Sequence, residues 1–317
     1  MKNDNKNASN GCYKNLMAQV DAVYKNCHEG SYKTRIRYRE SVERFCRFTR
    51  DNFHTQKFQP KTKHIIAYVE YMQREGKSPS TIKTDLAGIR FFNRHANNYY
   101  GRNNEIIDNS KLNLEQREIG RLYKRWMPSE LEAFQVYSRE KGDISMFHII
   151  TLGANFGLRL EEAVKVETSH IMGALDTLEL YTRGKNGQVR YIKIRNEEQI
   201  KVLKDVLEYA NSLGKKANDK IFCDNMTGSV LKTKRQVQSY LNNHNREFRD
   251  PNRVNILSKE TSKRVSSALS FHGLRYMYAG SLYDSVLKET GNKEHTKRYV
   301  SEMLAHHRPE ITDIYLK

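Results

Sequence analysis

One short stretch of the sequence combines two residue types that could act together on a phosphodiester. It runs Ser270-Phe271-His272-Gly273-Leu274-Arg275-Tyr276, and Ser270 is a good N-cap for a helix that begins there. On such a helix His272 and Arg275 are three residues apart and project from one face. Arginine offers several donors to non-bridging oxygens, and histidine can move a proton near neutral pH. This H-x-x-R pattern is a weak indication by itself, because it arises easily by chance.

Two further groups of polar residues lie far from this stretch in the sequence. Upstream stands Gly157-Leu158-Arg159-Leu160-Glu161-Glu162, and downstream runs Leu304-Ala305-His306-His307-Arg308-Pro309-Glu310-Ile311-Thr312-Asp313-Ile314-Tyr315. A tyrosine hydroxyl can attack a phosphodiester and store the bond as a covalent ester. Cations positioned beside the phosphoryl oxygens stabilise the transition state by an amount on the order of several kcal/mol. These residue types together could therefore cleave a phosphodiester without losing its bond energy.

In order and spacing, these boxes resemble the tyrosine recombinase (phage integrase) family. The family has a G-L-R-x-x-E box, a lysine on a β-hairpin, an H-x-x-R pair, a second His or Trp, and a tyrosine nine residues later. His306 and Tyr315 have that last interval. The resemblance covers 127–317 closely and the N-terminal part only in general form.

The resemblance implies that Tyr315 is the nucleophile and that two arginines stabilise the phosphate. Arg159 and Arg275 would hold the non-bridging oxygens, and Glu162 would support the first arginine. The alternative for Arg159 is a plain salt bridge to one of the two glutamates that follow it in the sequence.

The resemblance also implies three proton-transfer or hydrogen-bonding roles. His272 would take part in proton transfer at the attacking tyrosine, His306 would bond a non-bridging oxygen, and Lys185 would protonate the leaving 5′ oxygen. His307 stands next to His306, so either imidazole could face the phosphate, and Ala305 stands where the family usually has glycine. The alternative for Lys185 is an ordinary exposed lysine of a turn.

The function that the resemblance implies is a site-specific recombinase that cuts and rejoins duplex DNA through a 3′-phosphotyrosine. Integration or excision of a mobile genetic element is favoured over chromosome-dimer resolution. One alternative is a DNA relaxing enzyme of the type IB topoisomerase kind, and another is a non-catalytic DNA-binding protein of the same fold. The implied partners are a double-stranded DNA core site, further copies forming a homotetramer on DNA (monomer or dimer off DNA), and an accessory directionality factor.

Composition supports a polyanionic partner. The 317 residues carry a formal charge of +18, and neutralising phosphates releases their condensed counterions. The sequence has no phosphate-binding G-x-x-x-x-G-K-[ST] loop and no carboxylate cluster spaced for Mg²⁺, so we expect no metal and no cofactor. No apolar segment is long enough for a membrane span, and the scattered cysteines suggest no disulfide framework. These features predict a cytoplasmic, nucleoid-associated protein.

Hydrophobic periodicity predicts the elements that must position these residues. We expect a mainly α fold with a small antiparallel β-sheet (α+β): a disordered tail over 1–11, a helical domain over 12–125 and a catalytic domain over 127–317. The resemblance implies that the first domain is a SAM-like core-DNA-binding domain.

The first domain should contain several amphipathic helices, including one over 62–74 and a last one over 114–125, with a loop over 97–111. Basic residues on these helices are predicted to bind DNA, with a solvated charged face as the alternative: Arg35, Arg39, Lys83 and Arg90.

In the second domain, alternating apolar residues predict strands over 177–182 and 189–194. They flank Gly184-Lys185-Asn186-Gly187, whose glycines suit a hairpin turn and which would put Lys185 at its tip. Helices are expected over 196–213, 232–247, 270–289 and 296–306.

Overall fold

The computed structural model of the protein describes residues 2–116, 122–184, 187–224, 226–260, 264–305 and 309–316. The chain divides into two compact units, Met1–Glu118 and Ile119–Lys317. None of the helices in the described ranges is both long and apolar enough to cross a bilayer.

The first unit is helical. Its elements are α1 (Lys2–Lys25), α2 (Tyr32–Phe53), α3 (Thr62–Arg74), α4 (Pro79–Tyr100) and a single 3-10 turn (Asn109–Lys111). Helices α2 and α4 approach closely at Gly88, where an added Cβ would lie 3.0 Å from the Cβ of Ser41. The buried carboxylate of Asp85 accepts hydrogen bonds from Arg44 (2.6 Å) and Tyr68 (2.9 Å), so one polar cluster ties α2, α3 and α4 together.

Two expectations for the first unit differ from the structure. Residues 2–11, where a disordered tail was expected, belong to α1, because adding residues to an existing helix costs far less than starting a new one. The helix predicted over 114–125 does not form at its end, where Leu122–Tyr123 is a short strand. That strand pairs with a segment much later in the chain, which the local pattern does not reveal.

The second unit holds the remaining elements, which carry or directly flank the candidate residues Arg159, His272, Arg275 and Tyr315. In chain order they are β1 (Leu122–Tyr123), α5 (Pro128–Glu140), α6 (Ile144–Phe156), α7 (Leu160–Val164), α8 (Thr168–Thr177), β2 (Glu179–Arg183), β3 (Val189–Lys193), α9 (Glu197–Ser212), α10 (Val230–Phe248), α11 (Arg253–Glu260), β4 (Arg264–Val265), α12 (Phe271–Thr290), α13 (Lys293–Met303) and α14 (Pro309–Leu316).

The predicted antiparallel hairpin is confirmed. Strands β2 and β3 pair with Tyr181 opposite Tyr191. Strands β1 and β4 form a separate, parallel pair of two residues each, which the sequence analysis missed. Helices α8 and α11, of ten and eight residues, were also missed.

Helix α6 lies at the centre of the core of this unit. Its residues Ile149, Ile150 and Leu152 are fully buried, as its continuous apolar run predicts. Helix α12 packs against it at Gly153, where an added Cβ would lie 2.7 Å from the ring of Phe271. This close contact fixes the first turn of α12, which carries the H-x-x-R pair, against the core.

Candidate active site

The nucleophile candidate Tyr315 lies beside the histidine of the H-x-x-R pair. Its Oη is 3.1 Å from Nε2 of His272, so the phenol and the imidazole share a hydrogen bond. The ring of Tyr276 stacks on that of Tyr315 with centroids 4.3 Å apart, and Tyr315 is only 8% exposed. Helices α12 and α14 thus hold a hydroxyl against a group that could take its proton.

The imidazole of His272 is held in its neutral form. Part of the side chain is exposed, but burial of the rest lowers its pKa to about 4, and the positive charges of Arg275, Lys124 and Arg159 act in the same direction. One nitrogen of a neutral imidazole carries a hydrogen and the other can accept a proton. In the tautomer with the hydrogen on Nδ1, the accepting nitrogen is Nε2, which is the one that contacts the phenol.

The guanidinium of Arg275 is completely buried and binds two backbone carbonyls. It donates to the carbonyl of Gly157 at 2.5 Å and to that of Leu304, which ends α13. Burial lowers its pKa to about 9, helped by the charges of Arg190 and Arg159, yet the group stays protonated at neutral pH. At neutral pH the positive charge of Arg275 therefore lies close to Tyr315.

Arg159 and Glu162 form the pair that the G-L-R-x-x-E box predicts. Arg159 is the N-cap of α7, and Glu162 accepts from both its backbone N (2.8 Å) and its Nη1 (2.7 Å). Burial opposes ionisation of Glu162, but Arg190 and the bonds from Arg159 outweigh it, so the pKa of this carboxyl lies below its usual value. The ionised carboxylate thus fixes Arg159 with its side chain partly exposed.

Arg190 on β3 is a buried member of this site that the sequence analysis missed. Its Nη2 donates to Glu162 at 2.7 Å and to the carbonyl of Gly157 at 3.3 Å, and its Nη1 donates to the carbonyl of Met303. A signal was present in the sequence, since strand alternation puts Arg190 on the same inward face as Ile192. A charge at an inward position needs a partner.

A second buried ion pair, also missed, holds the segment that leads into α5. Arg253 and Glu130 are each 1% exposed and bonded to one another, and Arg253 also donates to the carbonyl of Arg125. The same segment meets α12 at Gly273, where an added Cβ would lie 2.7 Å from Cδ1 of Trp126. This packing brings the charge of Lys124 close to the first turn of α12.

A cleft of about 460 Å³ opens beside Arg159 and His272. Its far wall is α10, which contributes the exposed amide side chains of Gln238 and Asn242 one turn apart. In the described part of the chain, no group of three or more His, Cys, Asp or Glu side chains could hold a metal ion.

Three residues of the predicted site, Lys185, His306 and His307, lie outside the described residues. Their roles stay predictions. The neighbouring Ala305 has a φ of 47°, in the left-handed region that glycine favours. This backbone conformation accounts for the glycine that the family usually has here.

Of the four residues predicted to bind DNA, three contact groups of their own unit. Arg35 donates to the carbonyl of Cys27 at 2.5 Å, and Arg90 donates to the carbonyl of Ile107 at 2.6 Å. Arg39 forms an ion pair with Asp21 at 2.7 Å. Lys83 on α4 is exposed. Its binding of DNA stays a prediction, as does that of the three arginines.

Two family models match the chain. Residues 16–98 match the model described as phage integrase, N-terminal SAM-like domain. Residues 124–317 match the model described as phage integrase family. A comparison with curated proteins found no match.

Solved structures share the fold at low sequence identity. A lambda integrase bound to DNA is 17% identical with a TM-score of 0.61, and the match covers 91% of this chain and 90% of that one. A Tn1549 transposon integrase in complex with transposon right end DNA is 13% identical with a TM-score of 0.58, covering 94% of each chain. The XerH recombinase bound to its difH substrate is 16% identical with a TM-score of 0.53, covering 94% of this chain and 81% of that one.

Proposed function

Because the chain belongs to the phage integrase family, we propose that it is an integrase that cuts and rejoins duplex DNA through a 3′-phosphotyrosine intermediate. Membership of the family makes it a tyrosine-type site-specific recombinase. The proposal adds the covalent intermediate, and it adds integration or excision of a mobile genetic element as the outcome of the reaction.

The contact between Tyr315 and His272 is the observation that carries this proposal. The Tyr315 oxygen attacks the phosphorus, its proton passes to Nε2 of His272, and the 5′ oxygen of the broken strand leaves. The strand remains joined to the protein by a 3′-phosphotyrosine ester. Attack by the 5′ hydroxyl of a second strand reverses these steps, so neither ATP nor a metal ion is needed.

The charge balance of the site favours a bound phosphodiester. Among the described residues, three guanidinium groups (Arg159, Arg190 and Arg275) surround one bonded carboxylate, that of Glu162. Cations held in place beside the phosphorus stabilise a phosphate diester and the negative charge that builds up on it during attack.

We assign the two remaining roles to residues outside the described ranges. Lys185, which lies between β2 and β3 in the sequence, protonates the leaving 5′ oxygen, and His306 bonds a non-bridging oxygen. The bond from Arg275 to Leu304 supports the second assignment, because it anchors the chain two residues before His306.

Duplex DNA is the proposed substrate, with Lys83 and the α10 side of the cleft as contacts. The formal charge of +18 supports a polyanionic partner, and the lambda integrase and Tn1549 integrase structures were solved in complex with DNA. A lambda integrase tetramer bound to a Holliday junction (TM-score 0.64, 14% identity) supports a homotetramer on the core site. We further propose a monomer or dimer off DNA, a directionality factor as accessory partner, and action at the cytoplasmic nucleoid.

A nicked duplex carrying the core site tests the proposal. Cleavage next to the nick releases a short strand, so the covalent adduct accumulates and can be counted on a denaturing gel. We expect an adduct in excess EDTA without ATP, and none with Tyr315→Phe, which should still bind the duplex. Tyr276→Phe is the matched control, because it removes the hydroxyl from the ring stacked on Tyr315.

An adduct that persists in Tyr315→Phe, or strict dependence on Mg²⁺, would contradict the proposed mechanism. Relaxation of supercoiled plasmids that lack the core site, with no recombinant products, would favour a relaxing enzyme of the type IB topoisomerase kind instead.

A further inference from the structure

Arg190 connects three separate segments of the site through one buried side chain. It is 8% exposed and donates to Glu162, which holds Arg159, and to the carbonyl of Gly157, where α6 ends. It also donates to the carbonyl of Met303, the last residue of α13. The chain continues from there to α14, which carries the nucleophile candidate.

The bonds of Arg190 repeat those of Arg275. Both guanidiniums donate to the carbonyl of Gly157, and they bind the adjacent carbonyls of Met303 and Leu304. A phosphate oxygen carries negative charge, which a backbone carbonyl does not, and a guanidinium can bind a phosphate through two parallel hydrogen bonds. A phosphate could therefore draw Arg275 away from its carbonyls, and Arg190 would still hold the two backbone segments.

A stabilising role alone explains this arrangement poorly. Buried ion pairs are often no better for stability than apolar residues of similar size. The Nε of Arg190 is buried and has no hydrogen-bond partner among the described residues, which adds to the cost. Such a side chain is better suited to fixing geometry than to lowering the free energy of folding.

We infer that Arg190 is a positioning residue that keeps the end of α13, and so the Tyr315 helix, in register with the Arg159–Glu162 pair while Arg275 engages the phosphate. The inference rests on the proposed function for its catalytic consequence, but the positioning itself can be measured without catalysis. Its geometry requires the planar fork of arginine, because a lysine ammonium is a point donor that cannot reach Glu162 and both carbonyls together.

The test uses the full-length chain with Arg190→Lys and Arg190→Met. Arg195→Lys is the matched control, because Arg195 follows the same strand and pairs with Glu289 on α12. Amide hydrogen exchange of α14 and α9 reports on positioning. The rate of adduct formation on the nicked duplex, at saturating protein, reports on the chemical step.

In Arg190→Lys we expect α14 to exchange roughly tenfold faster than in the wild type while α9 is unchanged. Adduct formation should be about 10²-fold slower with DNA affinity nearly unchanged, as for a reactive group misplaced by about 1 Å. Arg190→Met should behave in the same way, and it keeps the test open if the lysine variant does not fold. Arg195→Lys should match the wild type in both measurements.

Two results would overturn the inference: α14 exchange unchanged in both Arg190 variants, or α14 and α9 accelerated equally, which would mean a purely structural role. If the wild type itself forms no adduct, the proposed function fails, and the selective exchange of α14 still decides whether Arg190 positions that helix.

Discussion

Gly157 is the position where one added methyl group should disturb both the fold and the site. It ends α6 with a φ of 57°, and its carbonyl accepts hydrogen bonds from both Arg275 and Arg190. The change Gly157→Ala adds a Cβ in the left-handed region and pushes it toward a buried aromatic ring, that of Tyr278. At most of the exposed glycines with a positive φ nothing lies within 4 Å of an added Cβ, so only the first effect would apply there.

The magnitude follows from these two contributions. Alanine in the left-handed region costs about 1–2 kcal/mol relative to glycine. The added Cβ would lie 2.9 Å from Cε1 and Cγ of Tyr278, and that residue is 6% exposed, so its ring cannot move into solvent. Overpacking of this kind costs about 1–3 kcal/mol. Together they predict a loss of about 2–5 kcal/mol for Gly157→Ala.

Urea denaturation followed by tryptophan fluorescence measures the free energy of unfolding of the second unit, which contains Gly157. Trp126 is the only tryptophan and is buried in the second unit, so its emission reports on that unit. The matched control is Gly173→Ala inside α8, where nothing lies within 4 Å of an added Cβ, and we expect it to stabilise by about 0.5–1 kcal/mol. A Gly157→Ala unit within about 0.5 kcal/mol of the wild type would refute the reasoning.

Three further predictions use the same preparations. Ala305→Gly should stabilise the second unit by about 1–2 kcal/mol, seen in Trp126 fluorescence, since it relieves a φ of 47°; a destabilised variant would contradict this. The second-order rate constant of adduct formation should stay flat as pH falls from 8 to 5 and drop only below that, because His272 has a pKa of about 4 and must be neutral to accept a proton; a drop beginning near pH 6.5 would be inconsistent with this. Asp313→Asn breaks a 2.7 Å ion pair with Lys297 that is partly exposed on both sides, so urea unfolding should change by no more than about 1 kcal/mol, and a larger change would mean that this pair secures α14.

The parts of the fold that the sequence predicted are those with a strong local period. The helix expected over 62–74 is α3, Thr62–Arg74, because its apolar stripe is clear and a glycine follows its end. The hairpin was found because alternation and turn glycines occur together. The parallel pair of β1 and β4 could not be found in the same way, since each strand has two residues and the partners are far apart in the chain.

In the candidate site, too, the residues with a recognisable sequence pattern were predicted and those without one were missed. The resemblance to the tyrosine recombinase family pointed to His272 and Tyr315 before any geometry was known, and the structure places their polar atoms 3.1 Å apart. The buried groups that hold such residues were missed, as Arg253 shows, because its partner Glu130 is 123 residues away and no local pattern links them. Arg190 was missed as well, although its sequence position did carry a signal, because strand alternation places this charged residue on the inward face of β3.

The charges around Glu162 explain why these supporting residues belong to the chemistry as well as to the fold. The carboxylate of Glu162 is bonded to Arg159 and Arg190, and its lowered pKa keeps it ionised at neutral pH. Burial lowers the pKa of His272, and the positive charges of Arg275, Lys124 and Arg159 act in the same direction, which keeps that imidazole neutral and able to accept a proton. The same positive charges attract the phosphate that Tyr315 attacks when it gives up its proton. Removing Arg190 would therefore weaken the site by releasing the end of α13 and by loosening the carboxylate that holds Arg159.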